Sequence, residues 1–411
     1  MSELLERGRN RLEWARAHMG VLAAIRKDLV KTKPFRGLRV GMALHVEAKT
    51  GVLALTLKEA GAHVRLASCN PLSTDDAVVA ALRDEGLDTY AKKWETNAEY
   101  DDNLHKVLDL KPNVVIDDGA DLIYRLHTKR RELLRDVIGA NEETTTGIIR
   151  VRAMEREKKL AFPVFDVNDA QMKHLFDNRY GTGQSTIDGI MTATNLLLAG
   201  KRFVVAGYGW CGRGVAMRAR GMGAHVIVTE VDPVKAIEAK LDGFEVMRMA
   251  DAAKLADFLV TATGDRDVVT AKHLRTVKDG CVLANAGHFN VEVSVADLEK
   301  MATKKRRVRE FVDEYSLRGG KKVYVLGEGR LVNLAAGQGH PVEIMDMSFA
   351  LQALCAERLA TKGTRMEARV YPVPHELDER VARLKLRELG VAIDRLTPAQ
   401  RAYLASWTEG T

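Results

Sequence analysis

The sequence predicts an α/β protein made of two doubly wound parallel-sheet domains and a C-terminal helical segment. A chain of 411 residues is too long for one ordinary compact core, which indicates at least two domains. Short β-rich runs alternate with helical stretches in two successive series, and this rhythm is typical of parallel sheets. A glycine-rich turn at the start of the second series identifies that domain as Rossmann-like.

The composition is that of an ordinary globular protein. Hydrophobic residues make up 46% of the chain and charged residues 29%, with 33 Gly against 9 Pro, so disordered and fibrous classes are excluded. The net charge of +7 is small for this length. It indicates anionic ligands and no nucleic-acid partner.

The sequence shows no sign of export, membrane insertion or metal binding. The N-terminal residues 1–20 alternate charged and apolar side chains, which predicts a helix and no signal peptide. No apolar run approaches the length of a membrane span. The four cysteines lack paired short spacings, so we expect neither a metal site nor disulfides, and a cytoplasmic location.

The first series of predicted strands begins at residue 38, and the second begins at residue 202. Strands of the first series are predicted at 38–44, 63–68 and 113–118. Strands of the second series are predicted at 202–207, 225–230, 256–264, 281–287 and 322–329. Two series in sequence predict two α/β domains.

The chain between and after the two series predicts a discontinuous first domain. Residues 168–200 are first polar and glycine-containing and then helical, as expected of a crossover or hinge. Helical sequence resumes after Pro341 and is able to return to the first domain. We predict a substrate-binding domain at 1–180 plus 341–375, a cofactor domain at 181–340 and a helical segment at 376–411.

One dense run of positive charge occurs at residues 304–309. Without interleaved aromatic residues or a binding motif, we interpret it as a solvated turn or helix face and not as a nucleic-acid site.

A dinucleotide-binding motif follows the first strand of the second series. Gly207, Gly209 and Gly212 form a G-x-G-x-x-G turn that opens a helix, and Glu230 ends the next strand. Gly207 permits the turn, Gly209 allows the backbone to approach a pyrophosphate, and Gly212 allows the helix to pack on the strand. The helix N-terminus favours an anion. Because a carboxylate at Glu230 accepts from both ribose hydroxyls and repels a 2′-phosphate, the predicted cofactor is NAD and not NADP.

Polar clusters follow several predicted strands, where open α/β sheets bind ligands. In the first series they lie around His45, Asp118 and Glu143, and in the second around His288, Asn333 and His340. Lys173 and Asp177 are four residues apart, on one face if the segment is a helix. Taken alone, that pair is more often a surface ion pair, and a lone loop histidine more often a structural group.

Several long motifs resemble the S-adenosyl-L-homocysteine hydrolase family, in particular its shorter archaeal and thermophile-type branch. They are GYGWCGRG, EETTTG, FDNRYGTGQST, VTEVDP, NAGHFNVE, EGRLVNLAAGQGHP and LTPAQRAYL. Together they extend the resemblance from about Leu38 to Trp407.

The resemblance implies a reversible hydrolase that holds NAD without net redox change. In this family the ribose C3′ is oxidised, which acidifies the C4′ proton and allows the thiol at C5′ to leave. Water then adds and the ribose is reduced again. Such chemistry needs a sugar site beside a dinucleotide site, together with acid and base groups and exclusion of water.

The resemblance also implies roles for individual residues. Lys173 is the base for oxidation of the 3′-hydroxyl, Asp177 accepts from the ribose hydroxyls, and Glu143 holds the 2′-hydroxyl. A base at neutral pH requires a lowered lysine pKa, which burial beside a nicotinamide cation would supply. His45 and Asp118 handle the C4′ proton and the C5′ group, in an order that the resemblance leaves open.

The remaining assignments concern the substrate periphery and the cofactor. His288 is expected near the homocysteine part of the substrate. Asn178 is expected to orient Lys173 and the nicotinamide. Substrate contacts are further expected from Glu47, Lys49, Thr50 and His340. Cofactor contacts are expected from Thr144, Thr145, Thr146, Asn178, Gly207, Tyr208, Gly209, Trp210, Cys211, Gly212, Glu230, Lys235, Ala286, Gly287, His288, Asn333 and His340.

The base pocket departs from the commoner bacterial and eukaryotic pattern. Glu47 and Lys49 replace a threonine and a glutamate. A carboxylate suits the 6-amino group of adenine, and an ammonium suits the 6-oxo group of hypoxanthine, but a mutually neutralised pair favours neither. S-adenosylhomocysteine is therefore the expected substrate, with S-inosylhomocysteine as the alternative.

Two further alternatives are a plain NAD-dependent dehydrogenase and a non-enzymatic NAD-binding protein. The second has no need of His45, Asp118, Glu143, Lys173 and Asp177 together. The resemblance also implies a homotetramer, and domain closure about hinges at 178–185 and 337–341.

Overall fold

Two sheets, each flanked by helices, form the framework of the computed structural model, which describes residues 3–407. Sheet A has seven strands in the order β15-β6-β5-β4-β1-β2-β3, and sheet B has eight in the order β12-β13-β14-β11-β10-β7-β8-β9. The strands of sheet A are β1 Arg39–Ala43, β2 His63–Ala67, β3 Asp88–Tyr90, β4 Val114–Asp117, β5 Gly139–Glu142, β6 Val164–Asp166 and β15 Val370–Pro372. The strands of sheet B are β7 Arg202–Ala206, β8 His225–Thr229, β9 Glu245–Val246, β10 Phe258–Thr261, β11 Cys281–Asn285, β12 Ala302–Arg309, β13 Val312–Leu317 and β14 Lys322–Leu326.

The helices of the first part of the chain precede β1, alternate with the strands of sheet A or follow β6. They are α1 Glu3–Ala17, α2 Gly20–Thr32, α3 Ala48–Glu59, α4 Asp76–Asp84, α5 Asn97–Leu108, α6 Asp121–Thr128, α7 Thr145–Arg156, α8 Gln171–Lys173 and α9 Thr182–Thr194. A π-helix over His174–Gly181 joins α8 to α9.

The remaining helices follow the strands of sheet B or close the chain. They are α10 Trp210–Gly221, α11 Pro233–Leu241, α12 Met249–Leu255, α13 Ala271–Leu274, α14 Val295–Met301, α15 Val332–Ala335, α16 Val342–Lys362, α17 His375–Glu388 and α18 Pro398–Leu404. Short 3₁₀ turns cover Arg131–Asp136, Gly327–Gly329 and Gly363–Arg365.

The predicted fold class is confirmed. All strand pairs of sheet A are parallel, and sheet B is parallel from β14 to β9. The central strands have near-continuous buried apolar residues, because helices cover both faces of each sheet.

Residues 304–309 form most of strand β12, and the predicted turn or helix face was wrong. The strand pairs antiparallel with β13 at the edge of sheet B. Arg306 and Arg307 pair across the strands with Glu314 and Asp313. Charged side chains are a common way to protect an edge strand from further pairing, and here they account for the charge run.

The chain returns to sheet A after completing sheet B. Helix α16 packs against α2, α3 and β5, and β15 pairs with β6 at the edge of sheet A. Helix α17 packs against α2 and α16, so the predicted boundary at 375/376 falls at the start of a helix attached to the first domain. Residues 386–407 are mostly exposed and extend beyond this layer.

Candidate active site

The candidate active site is a cavity at the carboxyl ends of the strands, between the two sheets. Its lining combines predicted residues from both domains: His45, Glu47, Thr50, Asp118, Glu143, Thr144, Thr145, Lys173, Asp177, Asn178, Cys211, Ala286, His288, Asn333 and His340. Strand ends of an open α/β sheet meet at one edge, which explains why residues distant in sequence come together.

Lys173 lies among carboxylates and amides on one side of the cavity. Its Nζ lies 3.2 Å from Asp177 Oδ2 and 3.5 Å from Glu143 Oε1, and it donates to Asn178 Oδ1 at 2.8 Å. Burial alone would lower the pKa of Lys173, but Asp177 and Glu143 outweigh it and hold the pKa above its ordinary value. The expected lowering is therefore not a property of these protein groups.

Asp177 and Asn178 lie on the π-helix His174–Gly181, where an α-helix was the simpler expectation. Wide turns of this kind occur often at functional sites. His340, from the loop before α16, hydrogen-bonds to Asp177 through Nδ1. Burial would raise the pKa of Asp177, but Lys173 and His340 together lower it, so the group is an anion.

Glu143 is held by helix α16 from the end of the chain. Ser348 Oγ donates to Oε1 at 2.6 Å and Gln352 Nε2 donates to Oε2 at 2.5 Å. Burial raises the pKa of Glu143 to about 7, against the opposing effect of Lys173. No sequence signal identified Ser348 and Gln352, because polar residues in an apolar helical run form no motif.

Asn168 is another residue that the sequence analysis missed. It accepts from Asn178 Nδ2 at 3.0 Å and from Thr145 Oγ1 at 3.2 Å. It therefore fixes the amide that faces Lys173. Its position directly after β6 was the only available signal.

A histidine and carboxylate pair lies on the other side of the cavity. His45 Nε2 is 3.3 Å from Asp118 Oδ2, and His288 Nδ1 is 3.5 Å from Asp118 Oδ1. Burial lowers the pKa of His45 to about 4 despite the nearby Asp118, so its imidazole is neutral at pH 7. Ser73 hydrogen-bonds to His45 Nδ1 at 2.7 Å and fixes the ring.

Cys69 completes this group and was missed, because cysteine spacing alone does not indicate a catalytic neighbourhood. Its Sγ donates to Asp118 Oδ2 at 3.6 Å and lies 3.3 Å from His45 Nδ1. Burial and Asp118 raise the pKa of the thiol well above its ordinary value, so Cys69 is a thiol and not a nucleophilic thiolate.

Glu47 lines the cavity, whereas Lys49 does not. The Lys49 ammonium lies 2.7 Å from Glu47 Oε2 and donates to the backbone oxygens of Gln338 at 3.0 Å and His340 at 2.8 Å. An ammonium has three donors, and these oxygens occupy all of them. Lys49 therefore has no donor left for a ligand in this structure, and its contact with the substrate stays a prediction.

The glycine-rich loop has the predicted strand, turn and helix. Gly207 has φ 95°, and a side chain there would meet the Ala262 oxygen at 2.8 Å. No atom lies within 4 Å of a Cβ built at Gly209, which leaves open space at the start of α10. Gly209 provides no side-chain cap, so the amides of this helix are available to an anion.

Asn333 supplies a second indication of a bound cofactor. Its Nδ2 donates to Ser185 Oγ at 3.2 Å, but its buried Oδ1 has no partner within the described structure. Asn333 lines the cavity, and an unpaired acceptor on such a residue fits the carboxamide of a nicotinamide. The loop and this acceptor fit NAD.

The other predicted cofactor residues differ in how directly they face the cavity. The Glu230 carboxylate accepts from the amides of Tyr208, Val231 and Asp232 at the end of β8. The Tyr208 ring is buried in the core and its hydroxyl donates to Asp242. The Lys235 ammonium lies 3.7 Å from an Asp232 carboxylate. Outside the cavity lining are Thr146, Gly207, Tyr208, Gly209, Trp210, Gly212, Glu230, Lys235 and Gly287.

Comparison with known proteins agrees with this geometry. The family model for S-adenosyl-L-homocysteine hydrolase matches residues 2–133, and the model for its NAD-binding domain matches residues 178–339. The chain belongs to the S-adenosyl-L-homocysteine hydrolase family. NAD is accordingly the cofactor of its second domain.

Curated relatives in this family match almost the whole chain. An adenosylhomocysteinase of Thermoplasma volcanium is 59% identical over 98% of each chain. An S-inosyl-L-homocysteine hydrolase of Methanocaldococcus jannaschii is 57% identical over 99% of this chain and 98% of its own. An adenosylhomocysteinase of Archaeoglobus fulgidus is 58% identical over 98% of this chain and 100% of its own.

Across residues 3–407, no helix combines the length and apolar character that crossing a membrane requires.

Proposed function

We propose that this hydrolase cleaves a nucleoside thioether of homocysteine reversibly, with NAD in the second domain. The observation that supports it best is one cavity that places Lys173 and Asp177 opposite His45 and Asp118, beside the glycine-rich loop. Bound NAD supplies reversible oxidation at the ribose C3′. The protein side chains supply all proton transfers.

The residues on the Lys173 side bind the ribose hydroxyls. Lys173 takes the 3′-hydroxyl proton as the neutral amine, the form that a neighbouring nicotinamide cation favours, with Asn178 holding its Nζ in place. Asp177 is an anion and accepts from a ribose hydroxyl. Glu143 accepts from the 2′-hydroxyl, and its two donors from α16 keep the carboxylate oriented.

The residues on the Asp118 side handle the protons at C4′ and C5′. Neutral His45 accepts a proton or relays it to Asp118 Oδ2 at 3.3 Å. His288 contacts the other oxygen of Asp118 and stands next to Phe289, at the expected homocysteine end. Since both pairs share Asp118, one carboxylate serves elimination and water addition.

Glu47 is the residue that reads the purine, and the favoured substrate is S-adenosylhomocysteine. Lys49 pairs with one oxygen of Glu47, Oε2, and its other two donors are taken by backbone oxygens, so the pair has no ammonium donor left for the base. The second carboxylate oxygen of Glu47 remains as an acceptor, which suits the 6-amino group of adenine. The second candidate is S-inosylhomocysteine. It is favoured by relatives of that name at similar identity.

The substrate preference is tested by measuring release of the homocysteine thiol from the two thioethers side by side. We expect a higher kcat/KM with the adenosyl compound, and loss of that preference in Glu47→Gln. A higher kcat/KM with the inosyl compound would leave the mechanism intact and reverse the base assignment.

The assembly we propose is a homotetramer in the cytoplasm. Exposed apolar residues follow α17, including Ile393 at 63% and Trp407 at 92% exposure. Helix α11 presents an exposed apolar row of Val234, Ile237 and Leu241. Both features support contacts between copies. Free cysteines support a reducing compartment.

The predicted boundaries are 1–180 plus 341–375 for substrate, 181–340 for NAD and 376–411 for the helical segment. We propose to keep them, except that the substrate domain extends through α17, which packs on α2 and α16. The pairing of β15 with β6 supports the return of the chain to the first domain. The family match at 178–339 supports the second. The proposed hinges at 178–185 and 337–341 lie at the two crossings between them.

A further inference from the structure

Glu142 is a fully buried carboxylate to which the proposed mechanism gives no role. It ends β5, directly before Glu143, and its exposed fraction is 0%. Among residues 3–407, no cationic side chain forms an ion pair with it. Burial and the neighbouring Asp117 raise the pKa of Glu142 well above its ordinary value.

Three backbone amides from two loops converge on this carboxylate. Gly119 N donates to Oε1 at 2.8 Å and Ala120 N donates to Oε2 at 2.9 Å. Thr144 N donates to Oε1 at 3.0 Å. Glu142 therefore joins the loop after β4, which carries Asp118, to the turn after β5, which carries Glu143.

The loop after β4 adopts an unfavourable backbone conformation that this contact stabilises. Gly119 has φ 99° and Ala120 has φ 60°, a left-handed conformation that a residue with a Cβ rarely adopts. Successive amides in such a turn form a concave site for acceptor oxygens, and the two side-chain oxygens of Glu142 fill it.

Gly147 shows how closely the carboxylate is enclosed. A Cβ at Gly147 would lie 2.1 Å from Glu142 Oε1, so only glycine leaves the space that this side chain occupies. Helix α7 on one side and the loop after β4 on the other therefore fix the conformation of the Glu142 side chain.

We propose that Glu142 is a positioning residue. It fixes the position of Asp118 relative to Glu143 and thereby sets the geometry for proton transfer at C4′. The inference rests on the proposed function, in which Asp118 and His45 handle that proton. Without Glu142 the turn would keep the contacts of Asp117 with the amides of Asp118 and Ile123, but the amides of Gly119 and Ala120 would lose their acceptors. The Asp118 carboxylate would then move away from His45 and His288.

The second domain contains a matched carboxylate that serves as a control. Glu292 is 1% exposed and accepts from Thr263 N at 3.0 Å and Gly264 N at 2.9 Å. A Cβ at Gly287 would lie 1.8 Å from Glu292 Oε1. Glu292 thus makes the same kind of contact with the loops that border the NAD site.

The test separates two partial reactions of NAD-loaded enzyme with adenosine. Reduction of the bound cofactor, read from its absorbance, reports oxidation at C3′ and depends on Lys173. Exchange of the C4′ hydrogen with deuterated solvent, read by mass spectrometry, depends on Asp118 and His45. Glu142→Gln keeps the size of the side chain but places an amide donor against backbone donors.

We expect Glu142→Gln to slow C4′ exchange by about 100-fold and cofactor reduction by less than about tenfold, because misplacement of one catalytic group on this scale has effects of that size. Glu292→Gln should instead weaken retention of NAD, with the ratio of the two rates unchanged. Should Glu142→Gln not fold, Gly147→Ala displaces the same carboxylate and is measured in its place.

Equal slowing of both reactions, or no slowing of either, would overturn the positioning role. A wild-type enzyme that neither reduces its cofactor nor exchanges the C4′ hydrogen would instead overturn the proposed function itself.

Discussion

The charge of Lys173 is determined by its immediate neighbours. Asp177 and Glu143 favour the ammonium, whereas burial and an adjacent nicotinamide cation favour the neutral amine. In the proposed mechanism, Lys173 therefore acts as a base only when bound NAD lowers its pKa. The sequence predicted Lys173 as the base and Asp177 as its partner. The direction in which the pKa of Lys173 shifts could be decided only from the distances between these side chains.

Replacement of Lys173 tests this role. Lys173→Ala should lower kcat by about 100-fold to 10,000-fold, the usual contribution of a general base. The NAD content of the purified protein should be unchanged, because Lys173 does not belong to the glycine-rich loop. Lys272→Ala, on exposed helix α13, is the control. Loss of NAD from Lys173→Ala would identify the residue as structural.

His45, whose side chain is 16% exposed, predicts a pH-dependent stability because its surroundings lower its pKa. Its pKa of about 4 lies below the ordinary 6.5, so between these values the unfolded chain binds a proton that the folded chain excludes. The contribution of His45 to the free energy of unfolding is fully present above pH 6.5 and is lost as the pH falls toward 4. The loss is at most about 1.4 kcal/mol per pH unit.

Denaturant unfolding of wild type and His45→Gln over this window measures the difference. The wild type should lose stability more steeply than the variant as the pH falls. His63→Gln, at an exposed position, should retain the wild-type slope. Parallel slopes for wild type and His45→Gln would show that His45 is not buried as a neutral group.

Helix α16 contributes to catalysis from 205 residues farther along the chain, through Ser348 on Glu143. Hydrogen bonds to a carboxylate stabilise its charged form, so removing them raises its pKa. The double variant Ser348→Ala/Gln352→Ala should move the rising limb of the kcat/KM profile to higher pH by about one unit.

A matched control lies on the same helix. Thr361 donates to a backbone oxygen at the exposed end of α16, so Thr361→Ala should leave the profile in place. A profile that does not move in the double variant would mean that ionised Glu143 does not limit activity.

The sequence predicted those elements whose signals are local. Apolar runs bounded by polar clusters identified β1, β2, β4 and the strands around the glycine-rich loop. Shorter strands such as β3, with three residues, and β9, with two, carry too few residues for a periodic pattern. Strand β15 depends on pairing with β6, about 200 residues earlier, which no local pattern encodes.

At the scale of the whole molecule, the two domains are in contact outside the active site as well. The rings of Trp94 and Phe311 stack across the domains with centroids 5.8 Å apart. Arg307 lies over the Trp94 ring, and Lys93 over that of Phe311. In the proposed domain closure, these contacts would hold the two domains together on one side of the cavity.

The exposed C-terminal residues predict the behaviour of the assembly. A chain ending at Gly390 should have a lower mass in solution than the full chain by light scattering, because it lacks the apolar residues from Ile393 to Trp407. Leu241→Ser on α11 should weaken the same assembly. An unchanged mass in both variants would contradict the proposed contacts.

The most direct test of the central claim is to incubate the NAD-loaded enzyme with S-adenosylhomocysteine and to measure released homocysteine and free NADH together. Our account predicts homocysteine equal in amount to adenosine, with no NADH accumulating in solution, because the cofactor is restored in every turnover. NADH that accumulates without release of homocysteine would contradict it and would identify a dehydrogenase.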